Sequence, residues 1–156
     1  MMQISSKTEY GLRCLILLAR RSSDEALSIP EISQRESVPR YYAQQIMLKL
    51  GRAGLVKSIR GTQGGFILGK PAAEISVGAI MRVLEGMPFQ DRCDHFNKKA
   101  DCGHRSECSI RPIWQVISLR LWEALDRITL QQLIADEKTV SRKLMKELPI
   151  LSGPAR

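Results

Sequence analysis

The sequence predicts a mainly α-helical protein with one small β-hairpin. Two short amphipathic segments are separated by the break Ser37-Val-Pro39, and the glycine-rich turn Gly61-Thr-Gln-Gly-Gly65 separates two short apolar segments. A long segment after Ile110 then repeats apolar residues at spacings of three and four. The length of 156 residues fits one domain, or one domain with an arm. Together these features predict a winged helix-turn-helix domain followed by a long dimerisation helix.

The composition excludes several classes of protein. Hydrophobic residues make up 44% of the chain and charged residues 26%, which is ordinary for a globular protein and excludes a disordered polyelectrolyte. The longest apolar run, Cys14–Ala19, is far shorter than the roughly 20 residues of a membrane-spanning helix. The N-terminus lacks the apolar core of a signal peptide, so we expect a cytosolic protein whose four cysteines are thiols or metal ligands.

The first predicted helix begins at Ser6-Lys-Thr-Glu9, which fits a capping box because Ser is followed three residues later by Glu. Apolar residues then occur nearly all round the helix, so we expect it to be buried and to end near Arg20. Cys14 lies in the middle of this apolar segment, apart from the other three cysteines. It is predicted to be a buried core thiol.

The next two helices form the predicted helix-turn-helix. A second capping box, Ser28-Ile-Pro-Glu31, begins a short helix over Pro30–Arg35. After the break at Ser37-Val-Pro39, a third helix runs from Arg40 to Arg52 and stops at Gly54. The apolar stripe of the third helix consists of Tyr42, Ala43, Ile46, Met47 and Leu50.

A β-hairpin is predicted directly after this helix. Leu55–Arg60 alternates enough for a strand, Gly61–Gly65 supplies the turn, and Phe66–Leu68 forms a second short strand. Such a hairpin is the wing of a winged helix, and it carries Arg60 at its base. Beyond the wing, Ser76 caps a helix over Val77–Glu85.

The long helix from Ile110 carries an apolar seam close to that of a coiled coil. Leu119 and Trp122 widen this face, so the helix is expected to pack on two partners. Thr129 is predicted to cap a further short helix over Leu130–Asp136. The seam consists of Ile110, Trp114, Ile117, Leu121, Leu125 and Ile128.

These elements divide the chain into four parts. Residues 2–88 form the predicted DNA-binding domain, and 89–109 form a loop that contains three cysteines. Residues 110–137 hold the dimerisation helix and the short helix after it. The remaining residues, 138–156, are predicted to be a basic, flexible tail with a weak helical signal.

Most of the net charge of +8 is concentrated in one part of the chain. Between Arg35 and Lys70, seven basic side chains stand against one acidic side chain, a net charge of +6. Such a compact basic segment suggests a polyanionic partner, most often nucleic acid. On charge alone, a solvated basic surface without a partner remains an alternative.

The face of the third helix opposite its apolar stripe is the candidate DNA-reading surface. Gln bonds bidentately to adenine, and Arg and Lys contact guanine or phosphate, so the N-terminal part of this helix is expected to read bases. A polar surface on an ordinary helical domain is the alternative. Leu48 on this face is unexplained and would touch a thymine methyl or another part of the protein. The base-reading candidates are Arg40, Tyr41, Gln44 and Gln45; the phosphate candidates are Lys49, Arg52 and Lys57; and Arg60 is the candidate for a narrow minor groove.

Cys93, Cys102 and Cys108 lie in a loop with equal numbers of acidic and basic residues, together with His95 and His104. Thiolates bind zinc, copper(I) or iron–sulfur clusters. Zinc sites usually contain closely spaced cysteine pairs, which are missing here, whereas well-separated thiolates suit a cluster of several irons. Free thiols, a zinc site and a redox disulfide remain open alternatives.

The chain resembles the bacterial winged-helix regulators typified by IscR and NsrR, over about residues 2–137. The motifs that carry the resemblance are Ser6–Arg13, Tyr42–Ile46, Gly54–Gly61 with Gly64–Phe66, Ile75–Gly78, the three loop cysteines and Ile128–Leu130.

The resemblance implies a homodimer whose long helices, Ile113–Arg127, cross-pack. It implies that helix 40–52 reads double-stranded operator DNA and that the wing, including Gly64, contacts the backbone or minor groove. It further implies that the three loop cysteines ligate an iron–sulfur cluster, with [2Fe–2S] favoured over [4Fe–4S]. The implied dimer contacts are Ile113, Trp114, Ile117, Leu121 and Leu125.

The chain departs from the family pattern in two places. The gap between Cys93 and Cys102 is longer than usual, and Arg111 stands where IscR has its histidine ligand. In NsrR-like members an acidic residue from the other subunit completes the site, and Glu9 occupies that position. Glu9 is therefore the first candidate for the fourth ligand, with His104 second and His95 a further loop alternative.

The sequence thus leads to a dimeric regulator, acting as a repressor, whose DNA affinity depends on the state of an iron–sulfur cluster. A cluster-free thiol sensor that binds DNA is the main alternative. A redox enzyme or cluster carrier is the second, but the chain shows no C-x-x-C motif or catalytic triad. That alternative also leaves the helix-turn-helix unexplained, so no enzymatic activity is expected.

Overall fold

The computed structural model describes residues 5–21, 25–61, 64–86 and 108–147. These ranges form a mainly helical domain with one antiparallel hairpin, as the sequence predicts. The elements are α1 (Ser6–Ala19), α2 (Ile29–Glu36), α3 (Arg40–Arg52), β1 (Val56–Ile59), β2 (Gly65–Leu68), a short 3-10 helix (Ala72–Glu74), α4 (Val77–Glu85), α5 (Arg111–Arg127), α6 (Leu130–Leu133) and α7 (Glu137–Glu147).

Helix α1 lies at the centre of the domain, packed against α2, α3, α4 and α6. Its cap differs from the prediction: the N-cap is Ser5, whose backbone N–H and Oγ donate to Glu85 Oε1 at 3.0 and 2.6 Å. The predicted capping box between Ser6 and Glu9 is therefore wrong, because a tertiary contact with α4 sets where the helix begins. Glu9 instead lies 3.6 Å from Arg13.

The helix-turn-helix forms where the sequence predicts it. The Ser28 N–H donates to Glu31 Oε2 at 2.8 Å, and the Glu31 N–H donates to Ser28 Oγ at 3.4 Å, which confirms the second capping box. Helix α2 extends one residue beyond the prediction at each end, and α3 has the predicted bounds. Between them, Ser37 adopts a left-handed conformation with φ of 53°, which turns the chain sharply into α3.

The wing is a two-stranded hairpin in which Val56 lies opposite Leu68 and Ile59 lies opposite Gly65. Its first strand is shorter than the predicted Leu55–Arg60, so Arg60 follows the strand. Backbone hydrogen bonds of 3.0 and 2.8 Å join Leu27, just before α2, to Phe66 in β2. The wing therefore contacts the helical domain beside α2 as well as beside α3, the helix that precedes it in the chain.

Helices α4 and α5 cross at close range. Helix α4 has the predicted bounds, with the Ala79 N–H donating to Ser76 Oγ at 3.1 Å at its beginning and Gly86 at its end. A Cβ on Gly78 would lie 2.1 Å from Asp126 Oδ1, so glycine is required for this approach. Arg82 donates to both carboxylate oxygens of Asp126 and lies 4.6 Å from the Trp122 ring centre.

The C-terminal part differs from the prediction in two respects. Helix α6 is shorter than the predicted Leu130–Asp136, although Thr129 caps it as expected. The tail predicted to be flexible is helical over Glu137–Glu147, and residues 148–156 lie outside the described ranges. Within the described residues, no helix is long and apolar enough to cross a membrane.

Candidate nucleic-acid interface

Helix α3 presents two chemically different faces. Ala43, Ile46, Met47 and Leu50 are fully or almost fully buried against the rest of the domain. The opposite face is exposed, and it carries the predicted base-reading residues Arg40, Tyr41, Gln44 and Gln45. The buried apolar stripe thus fixes the helix so that its polar face points toward solvent. A helix that contacts base edges in the major groove of DNA requires this arrangement.

The predicted phosphate contacts lie next to this face. Lys49 and Arg52 on α3, Lys57 on β1 and Arg60 just beyond β1 are all exposed. None of these cations belongs to an ion pair within the part of the chain that the structure describes. Their charges are therefore not neutralised by neighbouring carboxylates and remain available to phosphates.

Gly64 lies in the turn of the wing and has a structural reason to be glycine. A Cβ at this position would approach the Ile59 carbonyl oxygen to 2.6 Å, so the tight turn itself requires the missing side chain. Its predicted contact with DNA remains a prediction.

A groove of about 630 Å³ separates the C-terminal half of α3 from strand β1. Two apolar side chains beside it are exposed to unusual extents for their type, Leu48 at 43% and Ile59 at 44%. Arg52 and Lys57 line the same groove from its two sides. The structure therefore brings phosphate candidates from α3 and from the wing together at one place.

The outer face of α5 is apolar and exposed. The inner face packs Trp122 against Val77 and Met81 of α4, with Leu125 beside them. Leu125 therefore packs within its own subunit and Leu121 is half-buried, so the predicted seam is divided between two faces. The exposed large side chains of the outer face are 40–60% accessible and comprise Ile110, Ile113, Trp114, Val116, Ile117 and Leu119.

Of the predicted metal ligands, the structure describes Cys108 and Glu9. Cys108 is a free, half-buried thiol close before α5. Glu9 is an exposed carboxylate whose partner Arg13 also bonds Glu36 at 3.2 Å. Cys93, Cys102, His95 and His104 lie outside the described residues, and the described ranges contain no group of three or more metal-ligating side chains.

The fourth cysteine has a different environment. Cys14 is fully buried in the core, as predicted. Burial and the nearby Glu36 carboxylate raise the pKa of its thiol to about 12. Because metals bind the thiolate, Cys14 is unsuited as a ligand, whereas the accessible Cys108 suits a ligand set supplied by the loop.

A family model described as "Rrf2: Iron-dependent Transcriptional regulator" matches residues 4–136 of the chain. The chain belongs to the Rrf2 family of transcriptional regulators. It is 30% identical over 139 residues to the HTH-type transcriptional regulator IscR of Vibrio vulnificus, covering 89% of this chain and 81% of that protein.

Solved structures of Rrf2-type regulators are similar to this chain. The global cysteine regulator CymR of B. subtilis matches with a TM-score of 0.69 and 36% identity, covering 87% of this chain and all of that chain. IscR of T. potens matches with a TM-score of 0.65 and 29% identity, covering 99% of this chain and 93% of that chain. The winged-helix fold and DNA binding are thus properties of the Rrf2 family to which this chain belongs.

The sequence does not predict three features of this Rrf2 chain. The pairing of Arg82 with Asp126 joins residues 44 positions apart, and no local pattern indicates it. Ile59 lies in the predicted strand, but no pattern in the sequence indicates that its apolar side chain is exposed. Leu48 interrupts an otherwise polar helix face, and that interruption was the available signal for the groove beside it.

Proposed function

We propose that this Rrf2 regulator is a homodimeric repressor that binds operator DNA through α3 and the wing. The exposed polar face of α3, held by a fully buried stripe and flanked by exposed cations, is the observation that carries the proposal. Arg40, Tyr41, Gln44 and Gln45 read base edges in the major groove. Lys49, Arg52 and Lys57 bind phosphates, and Arg60 in the wing enters the minor groove, with Gly64 forming its turn.

The second subunit covers the outer face of α5. Exposed apolar patches of this kind on a soluble domain mark association surfaces, and a long helix with apolar side chains at helical spacing suits a symmetric pair. Ile113, Trp114 and Ile117 are the central contacts of the proposed dimer. Leu121 is at its margin, and Leu125 supports the helix from the inner face. The helix length then sets the distance between the two recognition helices.

The loop 89–109 is proposed to control DNA binding by holding an iron–sulfur cluster. Cys93, Cys102 and Cys108 are the protein's ligands, and Glu9 of the other subunit or His104 supplies the fourth position. The cluster, [2Fe–2S] rather than [4Fe–4S], would supply a centre that responds to iron supply, nitric oxide or redox state.

The chain offers a physical route from this loop to the DNA-binding surface. The loop connects Gly86, at the end of α4, with Cys108, just before α5. Helix α5 is bound to α4 through Arg82 and Asp126, and α4 packs directly against α3. A change at Cys108 therefore acts on an element that is coupled to the recognition helix. A differential stability of a few kcal/mol between the two states is enough to switch operator occupancy.

A thiol-based sensor without a cluster is the second candidate. It is supported by the similarity to CymR, including a structure of oxidized S. aureus CymR with a TM-score of 0.67 and 30% identity. It is also supported by the accessible thiol of Cys108. In this case an oxidant removes two electrons and two protons from a pair of the loop thiols, which form a disulfide.

Anaerobic purification separates the two candidates. A brown protein with visible absorption that Cys102→Ala removes, and with equal iron and sulfide contents, supports the cluster. A colourless, iron-free protein whose DNA binding responds to peroxide supports the thiol sensor. If Cys102→Ala kept the wild-type response of operator binding to oxygen, peroxide and nitric oxide, Cys102 would not belong to the sensor. If the wild type itself showed no response, both sensing mechanisms would be wrong, while DNA binding itself would stand.

The DNA-binding part of the proposal is tested with a pair of variants. Gln44→Ala is expected to lower affinity for the operator much more than for an unrelated duplex, by about 1–3 kcal/mol of discrimination. Lys49→Ala is expected to weaken binding to both duplexes equally and to reduce the salt dependence by about two released counterions, one for each subunit. Equal loss on both duplexes for Gln44→Ala would remove it from the base-reading set.

A further inference from the structure

The groove between α3 and β1 combines apolar walls with a cationic rim. Its sides are formed by Leu48 from the helix and Ile59 from the strand, and Gly51 leaves open space between them. Exposed apolar side chains on a DNA-facing surface are not explained by charge or by base reading. Both lie away from the core, since each keeps more than two fifths of its surface accessible.

The charge around the groove indicates what fills it. Arg52 on α3 and Lys57 on β1 line it from opposite sides, and Lys49 is exposed one helical turn from Arg52. Among the described residues, none that lines the groove carries a carboxylate. An occupant with regularly spaced negative charges and apolar surface between them is complementary to this arrangement, and a nucleic acid strand has both properties.

We propose that the groove receives the sugar–phosphate backbone of one DNA strand, with Leu48 and Ile59 packed against deoxyribose rings. Arg52 and Lys57 bind phosphates on either side of the packed sugars. This inference rests on the proposed function, and it assigns roles to two apolar residues that contact neither bases nor phosphates.

Packing against sugars has a distinct energetic signature. Deoxyribose is the same in all four nucleotides, so the contact strengthens binding without preference for sequence. The contact involves no charge, so it releases no counterions and leaves the salt dependence of binding unchanged. These two properties separate Leu48 and Ile59 from both base-reading residues and phosphate-binding residues.

The test measures the affinity of Leu48→Ala and Ile59→Thr dimers for the operator and for an unrelated duplex at several salt concentrations. Each variant is expected to bind both duplexes about a hundredfold more weakly, because one well-packed aliphatic contact, at about tenfold, is removed in each of the two subunits. The slope of log affinity against log salt should equal that of the wild type. Lys57→Ala should reduce this slope by about two, one for each subunit of the dimer.

Two further variants complete the design. Met145→Ala, at an exposed apolar residue of α7, is the matched control and should bind as the wild type does. Gly51→Leu places a side chain in the groove, and a Cβ there meets only ordinary contacts at 3.8 Å or more. This variant should fold and melt normally but lose affinity for both duplexes.

Several outcomes would overturn the inference. Wild-type affinity in Leu48→Ala and Ile59→Thr, with Gln44→Ala still defective, would show that the groove is empty in the complex while the proposed function stands. A loss at Leu48 confined to the operator would assign Leu48 to a base instead of a sugar. A wild-type protein that binds no duplex would overturn the proposed function and this inference with it.

Discussion

At the scale of single residues, Cys14 and Cys108 differ in the chemistry available to them. The Cys14 thiol is fully buried, and burial raises its pKa to about 12, so at pH 8 only about one molecule in ten thousand carries a thiolate there. We expect native protein without a bound cluster, treated with iodoacetamide at pH 8, to be modified at Cys108 and not at Cys14. Mass spectrometry of peptides checks this, with unfolded protein as the control in which both sites react.

The same residues show why some local predictions are right and others wrong. Ser28 caps α2 as predicted because its partner Glu31 is only three residues away. Ser6 fails to cap α1 because Ser5 donates to Glu85, 80 positions further along the chain. A local sequence pattern can indicate the interaction between Ser28 and Glu31, but it cannot indicate the distant interaction between Ser5 and Glu85.

At the scale of elements, the contact between α4 and α5 combines the packing of Trp122 with one ion pair. Hydrogen bonds from Arg82 lower the pKa of Asp126 in the folded protein. The carboxylate therefore stabilises the fold at pH values above its unfolded pKa of about 4, and this contribution is lost as the pH falls below that value.

Asp126→Asn should accordingly lower the free energy of unfolding at pH 7 by about 0.5–1 kcal/mol, because both partners are more than a third exposed and solvent screens them. At pH 3 the difference between the variant and the wild type should be smaller than at pH 7. Urea unfolding at the two pH values measures this, and an unchanged difference at pH 3 would contradict the assignment. Arg82→Met with Asp126→Asn completes a double-mutant cycle.

The outer face of α5 predicts a second element-scale result. Ile117→Glu places a charge in the middle of the proposed dimer contact, so we expect a folded monomer where the wild type is a dimer. Light scattering after gel filtration measures the mass. Met145→Glu, which adds the same charge to an exposed apolar position on α7, should remain dimeric. A dimeric Ile117→Glu would place the interface elsewhere.

At the scale of the whole molecule, assembly and DNA binding are linked through charge. Each chain concentrates a net charge of +6 between Arg35 and Lys70, and the proposed dimer would present two such surfaces to one operator. The slope of log affinity against log salt should therefore be about twice as steep for the wild type as for the monomeric Ile117→Glu variant. Titrations between about 50 and 200 mM salt compare the two slopes. Equal slopes would mean that only one subunit contacts DNA.

The fold was predictable from sequence to a large extent, and the candidate site only in part. The bounds of α3 and α4 follow from local signals, namely an apolar stripe, the Ser76 cap and the glycines that end each helix. The division of the α5 seam between two faces does not follow from local signals. Leu125 faces inward only because α4 lies beneath it. The groove beside Leu48 depends on how α3 meets β1, which is a tertiary relation that spacing in the sequence does not contain.

The two tryptophans of the chain both lie on α5, but they differ in their exposure to solvent. Trp122 is buried beneath the Arg82 guanidinium, whereas Trp114 is 40% exposed on the outer face. Indole fluorescence moves to longer wavelength when the ring is exposed to water, so the two rings emit differently and report different events. In the Trp122→Phe variant, Trp114 emission would follow subunit association. In the Trp114→Phe variant, Trp122 emission would follow the junction with α4. The protein thus contains two intrinsic optical probes on one helix, one exposed to solvent and one buried against α4.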